Sequence, residues 1–183
     1  MTATQNLEND HVHILQLTEI MQKMVEGKTE NTEHLELVVK LVRNFADGFH
    51  HAKEEDLLFP MLGKKGFSPQ QGPVAVMLAE HVQGRAFIKG VADGIEAFKE
   101  GNRNALESIY TNMEEYAFLL TAHIGKENNI LFRMADEALN AEENALLLVQ
   151  FDDVEKHTET AYQTINAIKT INNLAFIYLN QTK

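Results

Sequence analysis

The sequence predicts an all-α protein: an up-down-up-down four-helix bundle carrying an additional C-terminal helix. Apolar residues recur at three- and four-residue spacing along nearly the whole chain, the period of a helix with one buried face. Alternating strand-like runs, and hairpin turns flanked by β-branched residues, are missing. The connections are short, about 4 to 11 residues, which favours antiparallel neighbours.

The first helix is expected from about Leu7 to Glu26, stopped at Gly27, with Leu7, Ile14, Leu17, Met21 and Val25 on its apolar face. The second begins near Asn31 or Thr32 and runs through Leu35, Val38, Val42, Phe45 and Phe49 to Leu62, where Gly63 and Gly66 end it. Pro60 in its last turns predicts a local kink. Ser68-Pro69 or Pro73 can open the third, which carries Val74, Met77, Leu78, Ile88, Val91, Ile95 and Phe98 and ends at Gly101. Asn102 can cap the fourth, with Leu106, Ile109, Met113, Tyr116, Leu120, Ile124, Leu131 and Met134 inward. Asn140-Ala141-Glu142-Glu143 reads as a capping box that opens a fifth helix extending towards Tyr178. Met21, Met77, Met113 and Met134 fall on apolar stripes and read as core filler.

With 183 residues the chain has enough length for one domain, whereas two halves of about 90 would each be marginal. We therefore expect a single domain over 1–183, with the bundle at about 7–138 and the extra helix at about 141–180. A net charge of −11 without a run of Lys or Arg argues against nucleic acid or an anionic membrane surface as partner. The absence of cysteine removes disulfides, thiolate catalysis and thiolate-held metals, so any metal site is of N/O type. Met1 to Asn9 is polar and lacks the layout of a secretory signal, and no apolar stretch reaches membrane-spanning length; the expectation is a soluble cytoplasmic protein.

The chain writes one pattern twice. The stretch from His50 to Phe59 superposes without a gap on that from His123 to Phe132, and each follows, about 40 residues on, an acidic-His-Val triplet, Asp10-His11-Val12 and Glu80-His81-Val82. Each half thus offers one lone His and one His-x-x-x-Glu pair, whose members stand one above the other on a helix face. In an up-down bundle, His11 and His81 near helix starts and His50/Glu54 and His123/Glu127 late in their helices meet at one end, roughly 10 to 20 Å in from the connections. His51/Glu55 has the same spacing as His50/Glu54. His50 shares its stripe with Val39, Val42, Ala46, Leu57 and Met61, whereas His51 lies with Lys40, Arg43, Asn44 and Asp47, so His50/Glu54 is the expected ligand pair and His51 and Glu55 are rim residues or supports of the ligands. A single His on an apolar face is more often a hydrogen-bonded core residue than a ligand. Four with two carboxylates, buried without a cation, would cost several kcal/mol per unpaired ion. His13, His34 and His157 lack a carboxylate four residues on and read as surface residues.

These residues resemble the hemerythrin-like family, the HHE cation-binding domain. The resemblance rests on Asp10-His11, on HHAKEEDLLFP from His50 to Pro60, on Glu80-His81 with Gly84-Arg85, and on His123-Ile124-Gly125-Lys126-Glu127. It implies an up-down four-helix bundle around a non-haem di-iron centre, with a bridging oxide or hydroxide and two bridging carboxylates. The implied metal ligands are His11, His50, Glu54, His81, His123 and Glu127. Oxygen-carrying members have a second His four residues after the one at His81, where this chain has Arg85, so the set is similar to the four-His, two-Glu variants of iron-sensing and nitrosative-damage-repair members. Zinc or manganese would also suit N/O ligands.

On that resemblance, two six-coordinate irons have about 12 positions, of which the protein and a bridging oxygen fill about 10, leaving roughly one open on each. This implies binding of O2, NO or peroxide, for sensing, storage or detoxification. An alternative is an enzyme that reduces peroxide or NO or repairs iron centres, with an unidentified redox partner. A further alternative is a helical interaction module with a structural metal, using the fifth helix for self-association. Arg85 would stabilise an anionic adduct if it turns inward, or pair with surface glutamates if it does not. Tyr116, seven residues before His123 on the same face, is either a hydrogen-bond or electron donor to the centre or a core tyrosine.

Overall fold

The computed structural model describes residues 1–156 and 158–180, and these are helical with no strand among them. Helix α1 (Ala3–Glu26) starts earlier than its apolar stripe suggests, because Thr2 accepts from the Gln5 backbone N–H and Gln5 reaches back to the Thr2 backbone, a reciprocal cap. The second helix begins as α2 (Thr32–Leu41), capped by Asn31, widens into π-helical turns over Val42–His51 and Glu54–Leu58, and closes as α3 (Phe59–Gly63). Pro60 falls in the first turn of α3, directly after the wide turns, where a missing N–H is least disruptive.

Pro73, not Ser68-Pro69, opens α4 (Pro73–Lys99), preceded by Gly72 at φ 79°, a conformation that favours glycine. The fourth helix is α5 (Ala105–Lys126), a π-helical turn over Glu127–Leu131, and α6 (Phe132–Ala138). The capping box at Asn140 is present, with Glu143 N–H on Asn140 Oδ1 and Asn140 N–H on Glu143 Oε2, both at 2.9 Å. Beyond the bundle the described helices are α7 (Ala141–Lys156) and α8 (Thr158–Tyr178), both packed on α1, in keeping with the additional C-terminal helix expected. No described helix is long and apolar enough to cross a membrane.

Buried side chains form two apolar clusters with a polar layer between them. One is built on Ile14, Leu17, Met21, Val38, Phe45, Ile88, Val91, Ile109 and Met113, and α8 adds Ile171 and Leu174. The other holds Leu7, Leu58, Leu62, Val74, Met77, Leu131 and Phe132, to which α7 adds Leu147 and Phe151. In each bundle helix the chain passes from one cluster to the other through a histidine: Leu7 to Ile14 through His11, Phe49 to Leu58 through His50, Met77 to Ile88 through His81, Ile124 to Leu131 beside His123. Met134 departs from the expected core and is 38% exposed, since the π turn before it has rotated its helix face. His13 and His34 are half-buried, not on the open surface; His34 Nδ1 lies 2.7 Å from the Tyr178 hydroxyl. His157 lies outside the described residues.

Candidate metal centre

The structure brings His11, His50, Glu54, His81, His123 and Glu127 into one layer, all essentially inaccessible to solvent. Their atoms sort into two groups. His11 Nε2 and His50 Nε2 face each other at 3.0 Å, and His81 Nε2 and His123 Nε2 at 3.1 Å. Glu127 spans the two, with Oε2 at 3.3 Å from His11 and Oε1 at 3.3 Å from His123. Glu54 spans them as well, with Oε1 and Oε2 at 3.6 Å from His50 and His81 respectively.

Every imidazole is held from behind. His11 Nδ1 donates to Asn128 Oδ1 (2.7 Å), His50 to Asp10 (3.2 Å), His81 to Glu55 (2.7 Å) and His123 to Glu80 (2.9 Å). A carboxylate or amide oxygen can only accept, so each Nδ1 carries the proton and each Nε2 is left bare. Two bare nitrogens at about 3 Å, beside carboxylate oxygens that are buried without a hydrogen-bond partner, repel one another unless a cation lies among them. Without one, burial followed by repulsion from Glu127 pushes the Glu54 carboxyl well above the carboxylate range. Burial acts upward on Glu127 too, but His123 and His11 hold it well below that range. Burial also drives His50 down to about 3. The donor set therefore fits two cations, one per His pair, with both glutamates shared.

The supports follow the internal repeat, and of them only Glu55 stands among the residues that helical spacing singles out. The residue before each lone histidine holds the motif histidine of its own half: Asp10 holds His50, and Glu80 holds His123. The residue after each motif glutamate holds the lone histidine of the other half: Glu55 holds His81, and Asn128 holds His11. The lysine three after each motif histidine then pairs with the acid, Lys53 with Asp10 at 2.6 Å and Lys126 with Glu80. Lys53 is fully buried, sits 4.3 Å from the Phe49 ring centroid and also reaches Asn6 and Glu155. Burial opposes ionisation of Asp10, but His50 and Lys53 outweigh it and hold its carboxyl below the usual range.

The stripe argument separates His50 from His51, yet both are buried. The π turn places one more residue in the turn than an α-helix does, as the Ala52 N–H bond to Asp47 O shows, so two consecutive histidines face inward. His51 Nδ1 lies 3.3 Å from Asp47 Oδ1, its ring stacks on His81 at 3.8 Å, and its Nε2 is buried without a partner. Burial takes its pKa down to about 4. Glu55 supports His81 and is also held by Arg85, whose side chain does not turn inward: it bonds Asp47 and Glu55, each at 2.7 Å. Tyr116 is buried, burial raises its hydroxyl pKa, and its ring walls a pocket beside His81 and His123.

A family model for the hemerythrin HHE cation binding domain matches residues 2–135. Among curated proteins, the iron-sulfur cluster repair proteins YtfE of Yersinia pseudotuberculosis serotype IB and of Yersinia pestis strain Pestoides F are each 37% identical to this chain over 89 residues. The match spans 47% of this chain and 40% of each relative, less than half of either. No solved structure matches the chain.

Proposed function

The chain belongs to the hemerythrin HHE cation-binding family, and from that premise we propose that it is a non-haem di-iron protein that binds a small ligand, O2 or NO, for sensing, storage or detoxification. The observation that carries this reading is the pair of buried glutamates, each aligned between two pairs of imidazoles that face each other through their Nε2 atoms. His11 and His50 would hold one ion, His81 and His123 the other, and Glu54 and Glu127 both, with an oxide or hydroxide completing the bridge. Iron at this position supplies a redox-active Lewis acid with room for an exogenous ligand. The protein's own part is to fix the imidazole tautomers through Asp10, Glu55, Glu80 and Asn128, and to keep bulk water away with the two apolar clusters.

Repair of iron centres is a second reading, favoured by the name of the Yersinia relatives. The first test is metal analysis with a visible spectrum: aerobically purified protein is expected to contain about two irons per chain, with charge-transfer absorption that disappears on reduction. A colourless chain that takes up one ion or none overturns the proposal. Rate measurements with peroxide and NO then separate binding from turnover, since stoichiometric uptake without a steady rate removes the enzymatic reading.

A further inference from the structure

The two halves differ around the centre in a way that the internal repeat makes visible. Aligning the halves sets Ile14 opposite Gly84, Leu15 opposite Arg85 and Ile124 opposite His51. Ile14 and Ile124 are buried in the apolar cluster. Gly84 has no side chain, and Tyr116 and Leu119 stand close beside it: a Cβ there would meet Tyr116 Cε2 at 3.3 Å and Leu119 Cδ2 at 3.9 Å. A pocket of about 270 Å³ opens on this side, and its lining includes His51, His81, Gly84, Ile88, Tyr116 and His123 but neither His11 nor His50.

His51 is the one polar group in that pocket with an unused, buried atom, Nε2. Its ligand atom lies within 4.8 Å of those of Glu54, His81 and His123, so distance alone admits it as a metal ligand, but its ring plane argues against that role. An imidazole binds a metal in its ring plane, and the His51 ring lies stacked on His81 with 11° between the planes, so an ion in the plane of one is well off the plane of the other. Its orientation is fixed instead by Asp47, a carboxylate that can only accept, and Asp47 is in turn held by Arg85. The Nδ1 atom therefore carries the proton, and Nε2 is a bare acceptor beside His81 and His123.

We propose that the exogenous ligand of the two-metal centre binds only on the His81/His123 side, in this pocket, and that His51 Nε2 accepts a hydrogen bond from it. The subsite then prefers a small ligand bearing an O–H or N–H over one of similar shape with none. This inference rests on the two-metal reading. It differs from that reading in predicting asymmetry between the ions and discrimination by a residue that holds neither.

The test uses full-length protein loaded with cobalt(II), whose visible spectrum reports its coordination without redox chemistry, titrated with azide and with cyanamide. These are isoelectronic rods of three heavy atoms, and only cyanamide carries N–H. In His51→Phe, which keeps the stacked ring, two cobalt ions per chain should remain. Cyanamide affinity should fall about tenfold while azide changes less than about twofold, the size expected for one hydrogen bond. His51→Gln retains an acceptor and should keep the preference, which guards against a Phe variant that does not fold. Gly84→Leu, filling the pocket, should weaken both probes at least about tenfold with metal content unchanged. Equal effects of His51→Phe on both probes, no effect on either, loss of a metal ion in that variant, or full binding of both probes to Gly84→Leu would each overturn the proposal. Wild-type protein that takes up fewer than two cobalt ions instead fails the two-metal reading, and the subsite falls with it.

Discussion

Asp10, Glu55, Glu80 and Asn128 each accept a hydrogen bond from the Nδ1–H of one imidazole, and this fixes what the centre does with acid. In the metal-free protein, burial lowers His50 from 6.5 to about 3 and His51 to about 4, and lowers His81 as well. His123 moves the other way: burial acts downward, but Glu127 and Glu80 raise it. For the lowered three, the unfolded chain takes up protons below about 6.5 that the folded chain refuses until far lower pH. Their stabilisation is thus present above that value and lost on the way down through the folded pKa values. With three histidines lowered against His123 and Glu54 raised, the melting temperature of metal-free protein should fall between pH 7.5 and 5; a flat or rising profile contradicts this. Glu54 runs in the opposite sense, its carboxyl held up chiefly by burial. Glu54→Gln should therefore stabilise the metal-free protein near neutral pH by about 1–3 kcal/mol. The same variant should bind fewer than two ions, so calorimetry and metal analysis should move in opposite directions.

At the level of elements, the wide turns decide which side chains reach the centre. Three backbone bonds of the i to i−5 kind, Ala52 to Asp47, Phe59 to Glu54 and Phe132 to Glu127, bracket the ligands of both motif helices. Gly48 lies inside the first, where an added Cβ would stand 2.9 Å from the Arg43 carbonyl oxygen, a backbone atom that cannot move without unwinding the turn. Gly48→Ala should cost about 1–3 kcal/mol in urea unfolding. Gly63 has open space around its Cβ position and serves as the control, with Gly63→Ala neutral or slightly stabilising. Equal effects at the two positions would show that the π turn is not under steric control. The one-residue shift is also why helical spacing alone separates His50 from His51 while the structure buries both.

Across the whole molecule, α7 and α8 break the symmetry of the repeat. They lie against α1, and α7 covers the Lys53 side, where Phe151 and Glu155 reach Lys53. Lys126, the matching residue of the other half, remains partly exposed. The same chemical pair, Lys with Asp or Glu behind a histidine, is thereby sealed on one side and wet on the other. Phe151 is fully buried with Leu147 among residues of the second cluster, so Phe151→Ala should destabilise the protein by about 3–5 kcal/mol. Chemical denaturation monitored by circular dichroism checks this, and a loss under about 1 kcal/mol would mean that α7 contributes little to the common core.

The sequence by itself determined the helices, the twofold repeat and the set of buried histidines and glutamates, because each depends on chemistry a few residues apart: caps, breakers, and the i to i+4 stripe. Asp10 and Glu80 stand in the repeated triplets, and Lys53 and Lys126 align in the repeated motif. Which histidine each group serves was not legible, since Glu55 meets His81 and Asn128 meets His11 only across helices. Tertiary structure alone decided that His51 turns inward, that Arg85 stays with Asp47 and Glu55, and that a pocket opens beside Gly84 on one side of the centre. The reason is physical: periodicity reports which face of a helix is buried, whereas the partner opposite each residue is set by the axial register of packed helices and by π turns that shift the phase of the stripe.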